Sequence, residues 1–344
     1  EAIRTGGNYG RVSAAVFDGR TLPYADNLVN LVVIRDANSQ IPEDEIERAL
    51  APRGVAIIKG RKTVKPVPAE IDEWTHYLYD PKNNAVSHDE KVKTPTSLQW
   101  DSGPRWSRHH DHMSSVSAVV SSGGRIFSIL DEGQRASIQY PPDWQLVARD
   151  AFNGKLLWKR SIPAWHTDIW PAKAGPAQLP RRLVAVGEKV YATLGLAAPV
   201  SMLDAATGET LQTFEGTERT EEILVSGDRL YVTAHAMAPP KGQWQLDTVR
   251  CWTETRRSNE SRPWKWEMAD PKKIVAVDTA SGRVLWTKQT AVAPITLSVD
   301  RQRVIYHNGR SVVCLDRESG KESWISEHKT EVEVFVKSAP NLVI

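Results

Sequence analysis

Four stretches decide the fold: LVARDAFNGKLLW (Leu146 to Trp158), VSMLDAATGETLQTF (Val200 to Phe214), IVAVDTASGRVLW (Ile274 to Trp286) and VVCLDRESGKESW (Val312 to Trp324). In each, an apolar run ends in an aspartate: Asp150, Asp204, Asp278 or Asp316. Asn, Thr or Ser stands three residues later, followed by Gly154, Gly208, Gly282 or Gly320. Trp158, Trp286 and Trp324 close three of the units four residues after the glycine; Phe214 closes the other, six residues after its glycine. The pattern is that of a β-hairpin. The apolar run is one strand, the aspartate accepts backbone N–H groups of the turn, the glycine supplies a positive φ, and the aromatic sits on the returning strand, placed to pack against a neighbouring sheet.

A second phrase precedes each copy: GGRIFSIL (Gly123 to Leu130), GEKVYATLG (Gly187 to Gly195), GDRLYVTAH (Gly227 to His235) and RQRVIYHNG (Arg301 to Gly309). Each reads as a tight turn and a strand with an aromatic near its start, although Ile305 precedes Tyr306 in the last. Two hairpins make a four-stranded unit. The aspartates lie 54, 74 and 38 residues apart, and the shortest spacing is close to the roughly 40–50 residues of one propeller blade. The longest holds an insertion, about Met237 to Lys273, rich in Trp, Pro and charge. The expected fold is mainly β: a partial β-propeller of about four blades, with the start of another at Val332 to Ile344.

Composition narrows the function classes. The chain has 344 residues, with 44 basic and 42 acidic side chains and a net charge of +2. That balance lacks the basic excess of a nucleic-acid binder. No apolar run is long enough for a membrane-spanning helix. Cys251 and Cys314 are too few for a disulfide framework or a four-cysteine zinc site. The 13 Trp against 5 Phe, with 21 Gly and 21 Pro, fit a turn-rich β-protein. The chain starts at Glu1 and ends in an apolar run, and it reads as a piece of a longer protein.

The repeated Asp-x-x-[Thr/Ser/Asn]-Gly-x-x-x-Trp phrase resembles the tryptophan-docking repeat of PQQ-like β-propellers, a family that includes quinoprotein alcohol dehydrogenases and an outer-membrane assembly lipoprotein. The resemblance covers about residues 96 to 344 and implies a fold more than a chemistry, since the motif is one of packing.

Residues 1–60 have a different pattern. A strand in Val12 to Phe17, an Asp18-Gly19 turn, a second apolar strand up to Ile34, a helix over Glu43 to Leu50 and a third strand, Gly54 to Gly60, make an α/β arrangement. Asp18, Leu22, Pro23, Tyr24 and Asp26, with Ala49, Leu50, Pro52 and Gly54, are similar to the second half of a class I SAM-dependent methyltransferase domain. That resemblance implies an incomplete Rossmann-like fragment with Asp18 and Gly19 against the adenine of SAM. It lacks the Gly-rich loop that would hold the cofactor's methionine end. Residues 61–95, opening on Lys65-Pro66-Val67-Pro68, read as a linker, and residues 96–344 as the truncated propeller. EWTHYLYDPKNNAVSHDEKV (Glu73 to Val92) and LQWDSGPRWSRHHDHMSSVSAVV (Leu98 to Val120) resemble the region that introduces the propeller in large periplasmic proteins of planctomycete-type bacteria. That resemblance implies a periplasmic or other extracytoplasmic location.

The densest polar cluster is Arg108-His109-His110-Asp111-His112. Two imidazoles and a carboxylate can hold a metal, and on a strand His110 and His112 share one face while His109 and Asp111 share the other. His166 and Asp168 form a second pair that could join them at the mouth of the channel. The residues therefore propose a metal site of His109, His110, His112, His166 and Asp168, against a polar rim loop. No G-x-S-x-G, H-E-x-x-H or P-loop is present. The leading function is a non-catalytic propeller that binds a protein or a small polar ligand at its mouth. The alternatives are a PQQ-dependent dehydrogenase and a methyltransferase activity residing in the parent protein, with PQQ or SAM as cofactor by resemblance alone.

Overall fold

The computed structural model describes residues 2–8, 12–36, 38–103, 115–136, 140–165, 179–236, 272–330, 332 and 340–344. The chain forms two compact units: residues 1–69 with 93–101, and residues 70–92 with 102–344.

The first unit holds a short helix, α1 (Ala2–Thr5), a strand, β1 (Val29–Ile34), a helix, α2 (Glu43–Ala49), and strands β2 (Leu50–Ile58) and β3 (Arg61–Val64). β1 and β2 are parallel with α2 as their crossover, and β2 and β3 are antiparallel. Ile46 of α2 packs with Leu50 and Ala56 against Val32, Ile34, Ile41 and Ile58. Two expectations change. Residues 13–18 form no strand, and Val16 is fully exposed, because no strand among the described residues pairs with this apolar run. The segment read as the opening of a linker starts as strand β3 instead: Lys59 and Gly60 both take positive φ (51° and 80°), the geometry that reverses a two-residue hairpin.

The second unit contains four antiparallel four-stranded sheets, each a meander. The first comprises β4 (Val116–Ser122), β5 (Arg125–Asp131), β6 (Trp144–Asp150) and β7 (Leu156–Ile162). The second comprises β8 (Leu183–Val186), β9 (Lys189–Thr193), β10 (Val200–Asp204) and β11 (Thr210–Phe214). The third comprises β12 (Thr220–Ser226), β13 (Arg229–His235), β14 (Lys272–Asp278) and β15 (Val284–Gln289). The fourth comprises β16 (Ser298–Val299), β17 (Arg303–His307), β18 (Val312–Asp316) and β19 (Glu322–Ile325). The protein is mainly β, with its four-stranded sheets arranged as propeller blades, and each successive pair of sheets encloses one apolar core.

The quoted repeat makes the joints between sheets. Asp150 Oδ1 accepts the N–H groups of Phe152 and Asn153 (2.9 and 3.1 Å), and Asp204 Oδ1 those of Ala206 and Thr207 (2.9 and 2.8 Å). Asp278 and Asp316 each take both the N–H and the hydroxyl of a serine, Ser281 and Ser319. The closing tryptophan then crosses to the next sheet. The Trp158 ring lies on Gly208, where a Cβ would come within 2.7 Å of it, and its Nε1–H donates to Ala205 O (3.0 Å). The Trp286 ring lies on Gly320 in the same way and donates to Arg317 O (3.0 Å). Register also shows that Phe214 does not stand at the tryptophan position of the second sheet. Gln212 does, paired with Met202 as Trp158 is with Ala148. Its side-chain amide donates to Thr279 O (3.2 Å) and accepts from Gly282 N (2.9 Å), replacing the indole's hydrogen bond without its ring. Trp324, expected in a buried joint, is instead 44% exposed, because no sheet among the described residues lies beyond the fourth.

Candidate functional site: the axial segment

The phrase Glu73 to Asn83 runs along the inner edges of all four sheets. Ser121 N donates to Trp74 O (2.8 Å), Ala185 N to Thr75 O (3.0 Å), Val225 N to His76 Nε2 (3.0 Å) and Val299 N to Pro81 O (2.8 Å). These donors occupy one register position. Each lies on the first strand of its sheet, opposite Ile126, Val190, Leu230 and Val304 respectively on the second. An edge strand presents unpaired N–H groups, and here one equivalent group from each sheet is satisfied by the same short peptide.

The segment is held rigidly. His76 N and Tyr79 O, and Tyr79 N and His76 O, close a tight turn (3.1 and 3.0 Å) with Tyr79 at φ 73°. Tyr79 Oη donates to Asp72 Oδ2 (2.7 Å), which also accepts from His88 N (2.6 Å). Burial and the Asp72 carboxylate push the Tyr79 phenol up to about 12. Glu73 accepts from Gly123 N (2.6 Å) and Ser122 Oγ (2.9 Å) at the turn between β4 and β5.

His76 is 2% exposed. Burial, with the nearby Arg181 charge, lowers its imidazole to about 3, so the ring is neutral. Since Nε2 accepts from Val225 N, the proton sits on Nδ1 and is donated to Thr75 Oγ1 (2.7 Å), which in turn donates to Tyr79 O (3.0 Å). Next to it, Arg181 meets Glu222 at 3.0 Å with both side chains buried. Arg181 also donates to Asn83 Oδ1 (3.0 Å) and Leu297 O (2.9 Å), and Glu222 accepts from Ile295 N (2.7 Å). Burial pushes the Glu222 carboxyl up, and the guanidinium pulls against it. Asn83 Nδ2 bridges Leu297 O (2.8 Å) and Leu342 O (3.0 Å).

A second polar group adjoins the first, through Arg182 next to Arg181 and Glu221 next to Glu222. Arg182 donates to Thr193 Oγ1 (2.9 Å), Gly195 O (3.1 Å) and Trp165 O (2.9 Å), and its guanidinium stacks on the Trp165 ring at 4.4 Å. Glu221 pairs with Lys272 and with His235, the latter at 2.9 Å.

Nothing in these networks is a poised nucleophile, and their polar groups are engaged with one another. Among the described residues no three His, Cys, Asp or Glu side chains converge as a metal cluster would require. His109, His110, His112, His166 and Asp168 lie outside the described residues. Asp18 and Gly19 form an exposed turn: Asp18 Oδ1 accepts from Arg20 N (2.8 Å) and Thr21 N (2.7 Å), bonds that hold its carboxyl below the usual range, and Gly19 has φ 81°. The rest of that motif is tied to α2, since Arg48 donates to Leu22 O (3.3 Å), Tyr24 O (2.9 Å) and Asp26 Oδ1 (2.6 Å). The described residues do not fit a calcium-bound quinone on the axis. Their one buried axial carboxylate, Glu222, is engaged by Arg181 and Ile295 N, and the segment's own backbone and His76 Nε2 take the inward N–H groups. The axial segment itself escaped sequence reading, because hydrogen bonds from four distant strands leave no periodic mark on the peptide that accepts them.

A family model described as outer membrane protein assembly factor BamB matches residues 86–265 and 267–343. Among solved structures, BamB from Moraxella catarrhalis is 14% identical with a TM-score of 0.36, over 62% of this chain and 54% of that one. A europium-containing methanol dehydrogenase is 11% identical with a TM-score of 0.46, over 79% and 51%. The quinohemoprotein alcohol dehydrogenase from Comamonas testosteroni is 12% identical with a TM-score of 0.49, over 78% and 43%. The chain thus spans about half the length of these proteins. No curated protein matches.

Proposed function

The chain belongs to the PQQ-like repeat family described as outer membrane protein assembly factor BamB, and from that premise we propose that it acts as a non-catalytic propeller module that binds a protein or a small polar ligand. One observation carries this reading: the inner edges of all four sheets are satisfied by the chain's own segment, Trp74 to Pro81. A quinone on the axis would compete with that segment for the same space. The family resemblance also supports an extracytoplasmic location. The parallel β1–α2–β2 unit, with its Leu22 to Asp26 motif, supports a methyltransferase-like ancestry for the N-terminal unit without a SAM site. Among the described residues, no helix is long and apolar enough to cross a membrane.

The test is a spectroscopic titration of the chain with PQQ and Ca²⁺, alongside dye-linked alcohol oxidation. The expected outcome is no saturable spectral change and no turnover. Saturable quinone binding with turnover overturns the reading in favour of a dehydrogenase.

A further inference from the structure

Asn-Gly occurs twice in the chain, at Asn153-Gly154 between β6 and β7 and at Asn308-Gly309 between β17 and β18. In such a pair the glycine's amide nitrogen can attack the asparagine side-chain carbonyl and close a succinimide ring, provided that a base within hydrogen-bond reach takes its proton. The two turns differ in what holds that proton. Gly154 N donates to Asp150 O (3.0 Å), a peptide carbonyl that is no base. Gly309 N donates to His307 Nδ1 (3.0 Å). A neutral imidazole that accepts at Nδ1 carries its own proton on Nε2, so the Nδ1 lone pair faces the Gly309 N–H. Burial alone holds this imidazole below its usual range, which keeps the ring neutral and able to take a proton at neutral pH.

The carbonyl under attack is prepared at the same turn. Asn308 Oδ1 accepts from Arg310 N (3.0 Å) and Ser311 N (2.9 Å). Two backbone N–H groups on the oxygen where negative charge collects make an oxyanion hole. Gly309 stands at φ 99° and has no Cβ to crowd the approach. Its hydrogen bond to His307 lies in the peptide plane, whereas attack on Cγ uses the nitrogen's face, so the imidazole and the Asn308 side chain do not compete for the same side of the nitrogen. Asn308 is half-buried and precedes the buried Gly309 and the exposed Arg310, so water reaches its side chain.

We infer that the His307-Asn308-Gly309 turn catalyses its own deamidation, with His307 Nδ1 as the base. Nδ1 takes the Gly309 N–H proton as that nitrogen bonds to Asn308 Cγ, and Arg310 N and Ser311 N hold the charge that forms on Oδ1. The Cγ–Nδ2 bond then breaks, the imidazolium returns its proton to Nδ2, and ammonia departs from the succinimide. Water opens the ring at either carbonyl, giving aspartate or isoaspartate at position 308. One water is consumed, one ammonia is released and His307 is restored. The product carries a new carboxylate in the turn that joins β17 to β18.

The experiment incubates the 344-residue chain folded and in urea, over a range of pH, and follows peptides holding positions 308 and 153 by mass spectrometry for conversion of amide to acid and for isoaspartate. In urea both turns are lost, and the two sites should convert at similar rates that rise about tenfold per pH unit, as attack limited by hydroxide does. In the folded chain position 308 should convert several-fold faster than in urea, with isoaspartate among the products and a rate that levels off near neutral pH, where His307 is already a free base. Position 153, held without a base, should convert more slowly than in urea. His307→Gln keeps an acceptor for Gly309 N but supplies no base, and should bring position 308 down to the behaviour of position 153. Conversion at 308 no faster in the folded chain than in urea, equal acceleration at both sites, or a folded-state rate at 308 that keeps rising with hydroxide would each overturn the inference without any variant. So would an unchanged rate at 308 in a His307→Gln chain that still melts cooperatively.

Discussion

Trp286 and Trp324 hold the same place in the repeat and have opposite fates. Trp286 is 9% exposed, lies on Gly320 and packs at 6.0 Å from the Tyr231 ring, as Trp158 does from Phe127. The residue of the fourth sheet that corresponds to Tyr231 and Phe127 is Ile305, which offers Trp324 no ring, while Tyr306 points into the core shared with the third sheet. Trp286→Ala is expected to cost about 3–5 kcal/mol, and Trp324→Ala no more than about 1 kcal/mol in the 344-residue chain; urea denaturation of the two variants checks this. His76 gives a pH prediction. Its folded pKa, about 3, lies below the unfolded value of 6.5. The unfolded chain therefore binds the proton first, and stability is full above pH 6.5 and falls as pH drops from there towards 3. His307, lowered by burial, shares the upper part of that window, whereas Glu221, held low by Lys272 and His235 against its own burial, loses its contribution only below about 4.5. His76→Gln should therefore flatten, without abolishing, the loss of stability between pH 6.5 and 4.5 in pH-dependent melts.

At the scale of elements, a parallel pair joined by a short crossover needs close backbone approach, and one glycine provides it. A Cβ on Gly54 would stand 2.6 Å from Ala51 O and 2.9 Å from Val29 O, both backbone atoms that cannot swing aside. The bulge is completed by Arg53 at φ 67°. Below it, Lys65 Nζ ties the end of α2 to the sheet through Glu47 O (2.6 Å) and Leu50 O (2.8 Å). Gly54→Ala should weaken β1–β2 pairing by about 1–3 kcal/mol, seen as faster hydrogen exchange at Val32 and Ile34 with β5 and β6 unchanged. The helix and strands β1 and β2 of this unit were legible from their apolar runs, but Pro52 and Gly54, read as a turn, lie inside β2, where Gly54 marks a bulge. The absent strand in 13–18 and the present one at Arg61–Val64 were not legible, since a strand exists only where a partner's ladder meets it.

At the scale of the propeller unit, stability in a tandem array normally passes from neighbour to neighbour. Here the axial segment adds a connection that touches every sheet, so the four sheets should unfold together. The double variant His76→Gly, Asn83→Ala removes the third station's acceptor and the amide that bridges Leu297 and Leu342. It leaves the fourth sheet joined through the third-to-fourth core and the remaining Pro81 station. Hydrogen exchange at Ile305 and Cys314 should then outpace exchange at Phe127 and Ala148, and a single melting transition should broaden or split. Unchanged, uniform protection across the four sheets would show that the segment fills the axis without coupling the sheets.

The local chemistry of the repeat is written in the chain. An aspartate that accepts the turn's own N–H groups and a glycine with positive φ act over five residues, and alternation over seven places the tryptophan on one face. Those features are short-range and can be read from any one copy. Folding, and not local pattern, settles which tryptophan is covered, that Gln212 takes the indole's place in the second sheet, and that a peptide before the repeats runs along the inner edges of the four sheets. Each depends on atoms brought together from positions up to about 260 residues apart. A carbonyl that accepts from a strand more than two hundred residues away needs no particular side chain, so its partner leaves no trace in the sequence that supplies it.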